Sequence, residues 1–337
     1  MFFNINSNKM FFLFILFFST FISISSNSWL SCWIGLEINL LSFIPLISNS
    51  KNLLCSEAAL KYFLTQSIAS INFLFMILMK MILLKNFEIN NLISILINSS
   101  LLMKMGSAPF HFWFPNIIEG LSWFNCFILM TWQKISPMIL LSYYMNMNFL
   151  LIIMIFNAII GTMGSMNQTS LRKLLSFSSI NNLGWMLSAL TISENLWLFY
   201  FTLYSFLISI MCFIFYNFNM YFLNQLFSLN LNVYINFYFF FNFLSLGGMP
   251  PLLGFLPKWI IINFLIMNKS FIILFIFIMM SLIMLFIYIR IIYFSIIFNY
   301  MKMKWLKIFI KNKMILFFST FSMISFLGMI ISTFLFF

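Results

Sequence analysis

Charge is what this chain has least of. Only 7% of its 337 residues are charged, where soluble domains carry about 25%, and aspartate is absent altogether. Valine occurs once, at Val233, and histidine once, at His111. Together with 64% hydrophobic residues and a mean hydropathy of +1.08, this scarcity excludes a soluble domain and identifies an integral membrane protein. A single histidine builds no histidine metal site. Cys32, Cys55, Cys126 and Cys212 show no C-x-x-C spacing, which argues against a metal site or an iron-sulfur cluster and leaves them as small apolar packing residues. There is no G-x-G-x-x-G after a strand and no G-x-x-x-x-G-K-[ST], so no motif for a nicotinamide, flavin or nucleotide is visible. The chemistry therefore falls to residues inside the membrane.

What is present is apolar length. Stretches of about 18 residues or more, each able to cross a hydrocarbon core of roughly 30 Å as a helix, recur about eleven times. They lie near 9-26, 28-48, 58-79, 88-108, 123-144, 148-166, 171-191, 195-217, 234-263, 271-294 and 315-336. Short connections predict antiparallel neighbours, and no stretch is polar enough for a soluble domain, so residues 1-337 read as a single integral membrane domain. The first span lacks a small-residue cleavage site and reads as a retained helix. Fifty phenylalanines and 27 methionines point to AT-rich codons, a bias that also supplies lysines.

If the helices alternate in direction, Lys9, Lys51, Arg172, Lys173, Arg290, Lys302, Lys304, Lys307, Lys311 and Lys313 share one side, and Lys80, Lys85 and Lys269 the other. Ten against three places the N-terminus on the positive-inside face. Anionic lipid headgroups account for the +12 net charge without nucleic acid.

Four charges within the apolar spans stand out: Glu37, Lys104, Lys134 and Lys258. A charge at the middle of a membrane helix costs about 2.5–3.5 kcal/mol on insertion scales, so such groups normally face protein interior or a water-filled path. Lys104 and Lys258 have an alternative as helix-end residues that snorkel to headgroups; Lys134, with long apolar flanks, has less room for it. By contrast Glu57 and Lys61 form an ordinary i, i+4 pair at a helix start. The glycines of "GTMGSM", residues 161 to 166, predict close helix packing.

Two segments, "KMGSAPFHFWFP" and "GGMPPLLGFLPKW", combine glycine, proline and lysine inside an apolar run, and both predict an interrupted helix. Irregular backbone at membrane depth is tolerated only where protein or a water-lined cavity satisfies it, and paired broken helices mark the ion pathway of a transporter. Free carbonyls at a break can face an ammonium group. Burial favours the neutral amine and a neighbouring carboxylate the charged form, so a lysine near Glu37 has the makings of a switch.

With "WIGLEINLLSFIP", "SEAALKYFLTQ", "WQKISP" and "SINNLGWM", these two segments resemble, in order from about residue 29 to 259, the antiporter-like subunit family of respiratory complex I, at subunit 2 of mitochondrial NADH:ubiquinone oxidoreductase. The resemblance implies an all-α polytopic fold of inverted repeats with two discontinuous helices, in the mitochondrial inner membrane with the N-terminus on the matrix side. It implies a proton-translocating subunit of that enzyme with no redox centre of its own; NADH, FMN, iron-sulfur clusters and ubiquinone belong to other subunits. The implied partners are other membrane subunits, further antiporter-like ones among them, and inner-membrane lipids. Glu37 falls on the family's ion-pair glutamate, Lys104 and Lys258 on the lysines at the two breaks, Lys134 on the bridging lysine and His111 on a motif histidine beside the pathway. One position departs: Asn116 stands where the family usually has glutamate, and Glu119 is a nearby carboxylate that reads as a solvated loop residue. A freestanding cation/proton antiporter and a purely structural membrane subunit are the competing readings.

Overall fold

Serine and threonine do not interrupt the apolar helices, because their hydroxyls turn back onto carbonyls of the preceding turn: Ser19 to Leu16 at 2.8 Å, Ser23 to Thr20 at 2.8 Å, Ser178 to Leu175 at 2.8 Å. In lipid every backbone polar group needs an internal partner, and helices provide one throughout. In the computed structural model the described residues are 7–49, 52–82, 87–228, 233–297, 319–326 and 328. Lys51, Lys85, Lys302, Lys304, Lys307, Lys311, Lys313 and most of the predicted span 315–336 lie outside them. Among the described residues the elements are helical, and β contact is limited to an isolated bridge between Ser170 and Phe222.

The chain divides into two compact units, Met1–Ile153 and Met154–Phe337. The first holds α1 (Ser7–Ser25), α2 (Trp29–Ile47), α3 (Leu53–Ile82), α4 (Phe87–Met105), α5 (Trp113–Gly120), α6 (Trp123–Met130) and α7 (Trp132–Ser142), and α8 (Met147–Ser165) spans the division. The second holds α9 (Leu171–Ile192), α10 (Glu194–Asn217), α11 (Leu223–Ser228), α12 (Val233–Gly247), α13 (Phe255–Met267) and α14 (Phe271–Ile297). Among the described residues seven stretches are long and apolar enough to cross a membrane, and Asn91–Met105, Phe237–Gly247 and Phe255–Met267 are shorter apolar helices.

In the first unit α1 and α2 form a hairpin, α3 packs on α2, α4 and α5, and α7 packs on α4 and α1. A reciprocal carboxamide pair, Asn39 with Gln133 at 3.0 Å in both directions, joins α2 to α7. The predicted span 123-144 is two helices, bent at Thr131. Pro137 has no N–H for the carbonyl four residues back and crowds it. The turn before it tightens, with the Lys134 amide bonding the Thr131 carbonyl at 3.1 Å. The bend lies just before Lys134 in the chain.

In the second unit α9 is packed on α10 and α13, and seventeen of its 22 residues are buried, so it is the core helix there despite its serines and asparagines. The expected close approach at Gly161 is present: a Cβ on it would lie 2.6 Å from the amide nitrogen of Asn181 on α9. Cys32, Cys126 and Cys212 are buried, as packing residues are.

Candidate proton-relay residues

Both predicted interruptions are present, one in each unit: α4 stops at Met105 and α5 starts at Trp113, and α12 stops at Gly247 and α13 starts at Phe255. Each break begins with a glycine in the left-handed region, Gly106 at φ +71° and Gly248 at φ +81°, a conformation other residues adopt at a cost. Ala108–Pro109 in the first break is cis.

The breaks treat their free carbonyls differently. At the end of α4, the Leu102 carbonyl accepts from the Ser107 amide at 3.1 Å and its hydroxyl at 3.0 Å, and the Met103 carbonyl from the Trp113 indole at 3.1 Å. The Lys104 carbonyl accepts from the Gln66 carboxamide of α3, also at 3.1 Å. Neutral donors thus close this helix end, and the Lys104 ammonium is not spent on it. At the end of α12 the lysine itself does the capping: Nζ of Lys258, in the first turn of α13, donates to the Gly247 carbonyl at 3.0 Å. A cation at a helix C-terminus also meets the negative end of the helix dipole.

Lys104, Lys134 and Lys258 are 7%, 1% and 5% exposed, which rules out snorkelling for all three. The Lys104 side chain makes no hydrogen bond or ion pair among the described residues; Glu37, half-buried on α2, interacts with it electrostatically without an N···O approach within 4 Å. The sequence-predicted pair is therefore a charge interaction at longer range. Lys134 places Nζ 5.3 Å from the ring centroid of Phe114 on α5, a cation–π geometry. Lys258 lies 5.9 Å from the ring of Trp185 on α9.

His111 is buried in the first break, with Nδ1 3.3 Å from the Pro109 carbonyl and its ring 4.3 Å from that of Phe112. The first unit thus contains Glu37, Lys104, His111 and Lys134, and the second Lys258. Asn116 is exposed on α5, and Glu119 lies in the last turn of that helix, where the sequence reading had a loop. Glu57 and Lys61 pair at 2.5 Å with exposures of 58% and 48%, apart from the buried charges.

Sequence reasoning missed Gln66, although it closes the quoted "SEAALKYFLTQ"; a carboxamide in an apolar run was the available signal. It also gave no role to the asparagines of "SINNLGWM", which α9 carries into the buried core of the second unit.

A family model described as "NADH:quinone oxidoreductase/Mrp antiporter, TM" matches residues 26–285. Among curated relatives, NADH-ubiquinone oxidoreductase chain 2 of Anopheles gambiae is 51% identical over 309 residues, 90% of either chain, and that of Locusta migratoria is 46% identical over 96% of either chain. Among solved structures, a chain of respiratory complex I from Thermus thermophilus with bound aureothin superposes with a TM-score of 0.78 at 20% identity, covering 88% of this chain and 77% of that one. That likeness is one of fold.

Proposed function

Because the chain belongs to the NADH:quinone oxidoreductase/Mrp antiporter transmembrane family, and to its chain 2 members, we propose that it is a proton-translocating core membrane subunit of NADH:ubiquinone oxidoreductase in the mitochondrial inner membrane. Residues 1–337 act as one membrane domain, with the N-terminus on the matrix side as the positive-inside count requires. The partners are other membrane subunits of the complex, antiporter-like ones among them, and inner-membrane lipids. NADH, FMN, iron-sulfur clusters and ubiquinone are handled by other subunits, and this chain performs the proton step that their chemistry drives.

The observation that carries this reading is three lysines buried at 7% exposure or less, one at each helix break and one just after the interruption at Thr131. A membrane protein keeps such groups where they line a path. Glu37 biases Lys104 through its charge, Lys104 and Lys134 exchange protons in the first unit, and Lys258 continues the relay in the second, with His111 beside the path. Moving one charge against 100 mV requires about 2.3 kcal/mol, the scale of the charge interactions such a site can make and break.

The test is Lys134→Met and Lys258→Met in the assembled complex. Loss of proton-coupled quinone reduction with assembly intact supports the relay. Retention of assembly, turnover and pumping together makes the chain a structural subunit.

The description of the matching family also covers Mrp antiporters, which keeps a freestanding cation/proton antiporter as the second reading. Relatives alike over nine-tenths or more of their length and named as chain 2 of NADH-ubiquinone oxidoreductase weigh against it. Ion exchange by the purified chain in liposomes would decide for the antiporter.

A further inference from the structure

The second unit holds a cavity of about 20 Å³ whose wall includes Lys258, Tyr200 and Tyr204 of α10, Asn182 of α9 and Ser245 of α12. A polar cavity of more than about 10–15 Å³ accommodates one water molecule when two to four polar groups face it. This one has the volume, and Lys258, Tyr200 and Asn182 are polar residues in its wall. Two of its polar groups hold each other: the Tyr200 hydroxyl donates to Oδ1 of Asn182 at 3.2 Å, and both residues are buried, at 3% and 6% exposure. With its proton committed to Asn182, the phenol oxygen keeps its lone pairs for a donor. Lys258, meanwhile, is tethered through Nζ to the Gly247 carbonyl, which leaves the other N–H bonds of an ammonium to point elsewhere. Trp185, one turn along α9 from Asn182, stands beside the same ammonium with its ring 5.9 Å from Nζ, and its own Nε1, buried, has no partner among the described residues. The helix next to Lys258 therefore carries hydrogen-bonding capacity beyond what its protein neighbours use.

We propose that Tyr200 and Asn182 are a positioning pair for Lys258, fixing in this cavity the single water molecule with which the lysine exchanges its proton. In the exchange one N–H bond of the ammonium breaks as an O–H bond of the water forms, and another proton of that water leaves along its next hydrogen bond, so the water is regenerated and one positive charge has moved. Tyr200 neither gains nor loses a proton; it sets the orientation of the water. The role rests on Lys258 being a relay residue, as proposed above, and gives Asn182 of "SINNLGWM" a function.

The experiment is Tyr200→Phe in the assembled complex in sealed membranes, compared with Lys258→Met, the double variant, and Tyr216→Phe, which removes a phenol of the same helix outside the cavity. Tyr200→Phe is expected to lower kcat of proton-coupled quinone reduction by about 2- to 10-fold, the kinetic equivalent of one neutral hydrogen bond, with KM for quinone unchanged. Asn182→Leu, which removes the acceptor at similar volume, should give the same split, and Tyr216→Phe no change. The double variant should be no slower than Lys258→Met alone, because the pair acts only through that lysine. Unchanged kcat in Tyr200→Phe while Lys258→Met is slow overturns the positioning role and leaves the relay standing. Additive losses in the double variant overturn it too. Full activity of Lys258→Met removes the relay and this proposal with it.

Discussion

A Cβ added to Gly248 would lie 2.8 Å from the Nζ of Lys258, and Gly248 holds φ at +81°. The ammonium occupies the space that any larger residue would fill, so the glycine that ends one half-helix makes room for the lysine that caps it.

Gly248→Ala should therefore do two things at once. The left-handed backbone costs an L residue about 1–2 kcal/mol, which lowers the thermal stability of the assembled complex. The displaced ammonium loses the Gly247 carbonyl, and quinone-reductase turnover falls toward that of Lys258→Met. A stability loss with normal turnover would show that the Gly247 contact is dispensable.

Glu37→Gln removes the carboxylate that, among the described residues, acts on Lys104. A charge interaction beyond 4 Å at an effective dielectric of 20 is worth less than about 4 kcal/mol. A loss of about tenfold in proton-coupled turnover, about 1.4 kcal/mol, is expected, with assembly unchanged. The rate of NADH oxidation in coupled membranes measures it.

Gln66→Leu takes away the donor that closes α4 at the Lys104 carbonyl. A buried carbonyl left unsatisfied costs about 1–3 kcal/mol, so the thermal midpoint of the assembled complex should drop, with a loosened first break visible as faster amide exchange around Gly106. Unchanged exchange there would mean the break needs no support from α3.

Lys61→Met is the contrast. Its ion pair with Glu57 is exposed on both sides, and such pairs contribute about 0.2–1 kcal/mol. Stability and turnover should both stay near those of the unmodified complex. A pumping defect here would mean that buried position is not what distinguishes a relay lysine in this lysine-rich chain.

The breaks were legible because glycine, proline and lysine act locally: the helices stop where the two segments predict an interruption, at Gly106 and Gly248, and Lys104 and Lys258 stand in the same segments. Burial of the lysines followed from apolar flanks. What closes each break was not legible, since Gln66 reaches the Lys104 carbonyl from 38 residues away and Trp113 reaches back from the next helix. Periodicity in one stretch carries no information about which distant helix meets it. The bend at Thr131 went unread for another reason: Pro137 is visible in the sequence, but an apolar window of span length conceals a bend that leaves the span intact. Glu119 reads as a loop residue in the sequence because α5, eight residues long, is too short to show helical periodicity. The Tyr200–Asn182 pair joins α10 to α9, and only the packed unit reveals it.

The most direct test of the relay is a structure of the whole assembly at a resolution that shows water. Ordered water within hydrogen-bonding distance of the Nζ atoms of Lys104 and Lys134 in the first unit and of Lys258 in the second is the result expected here. Ammonium groups enclosed by dry, close-packed apolar side chains, with no water reaching any of the three, would contradict it.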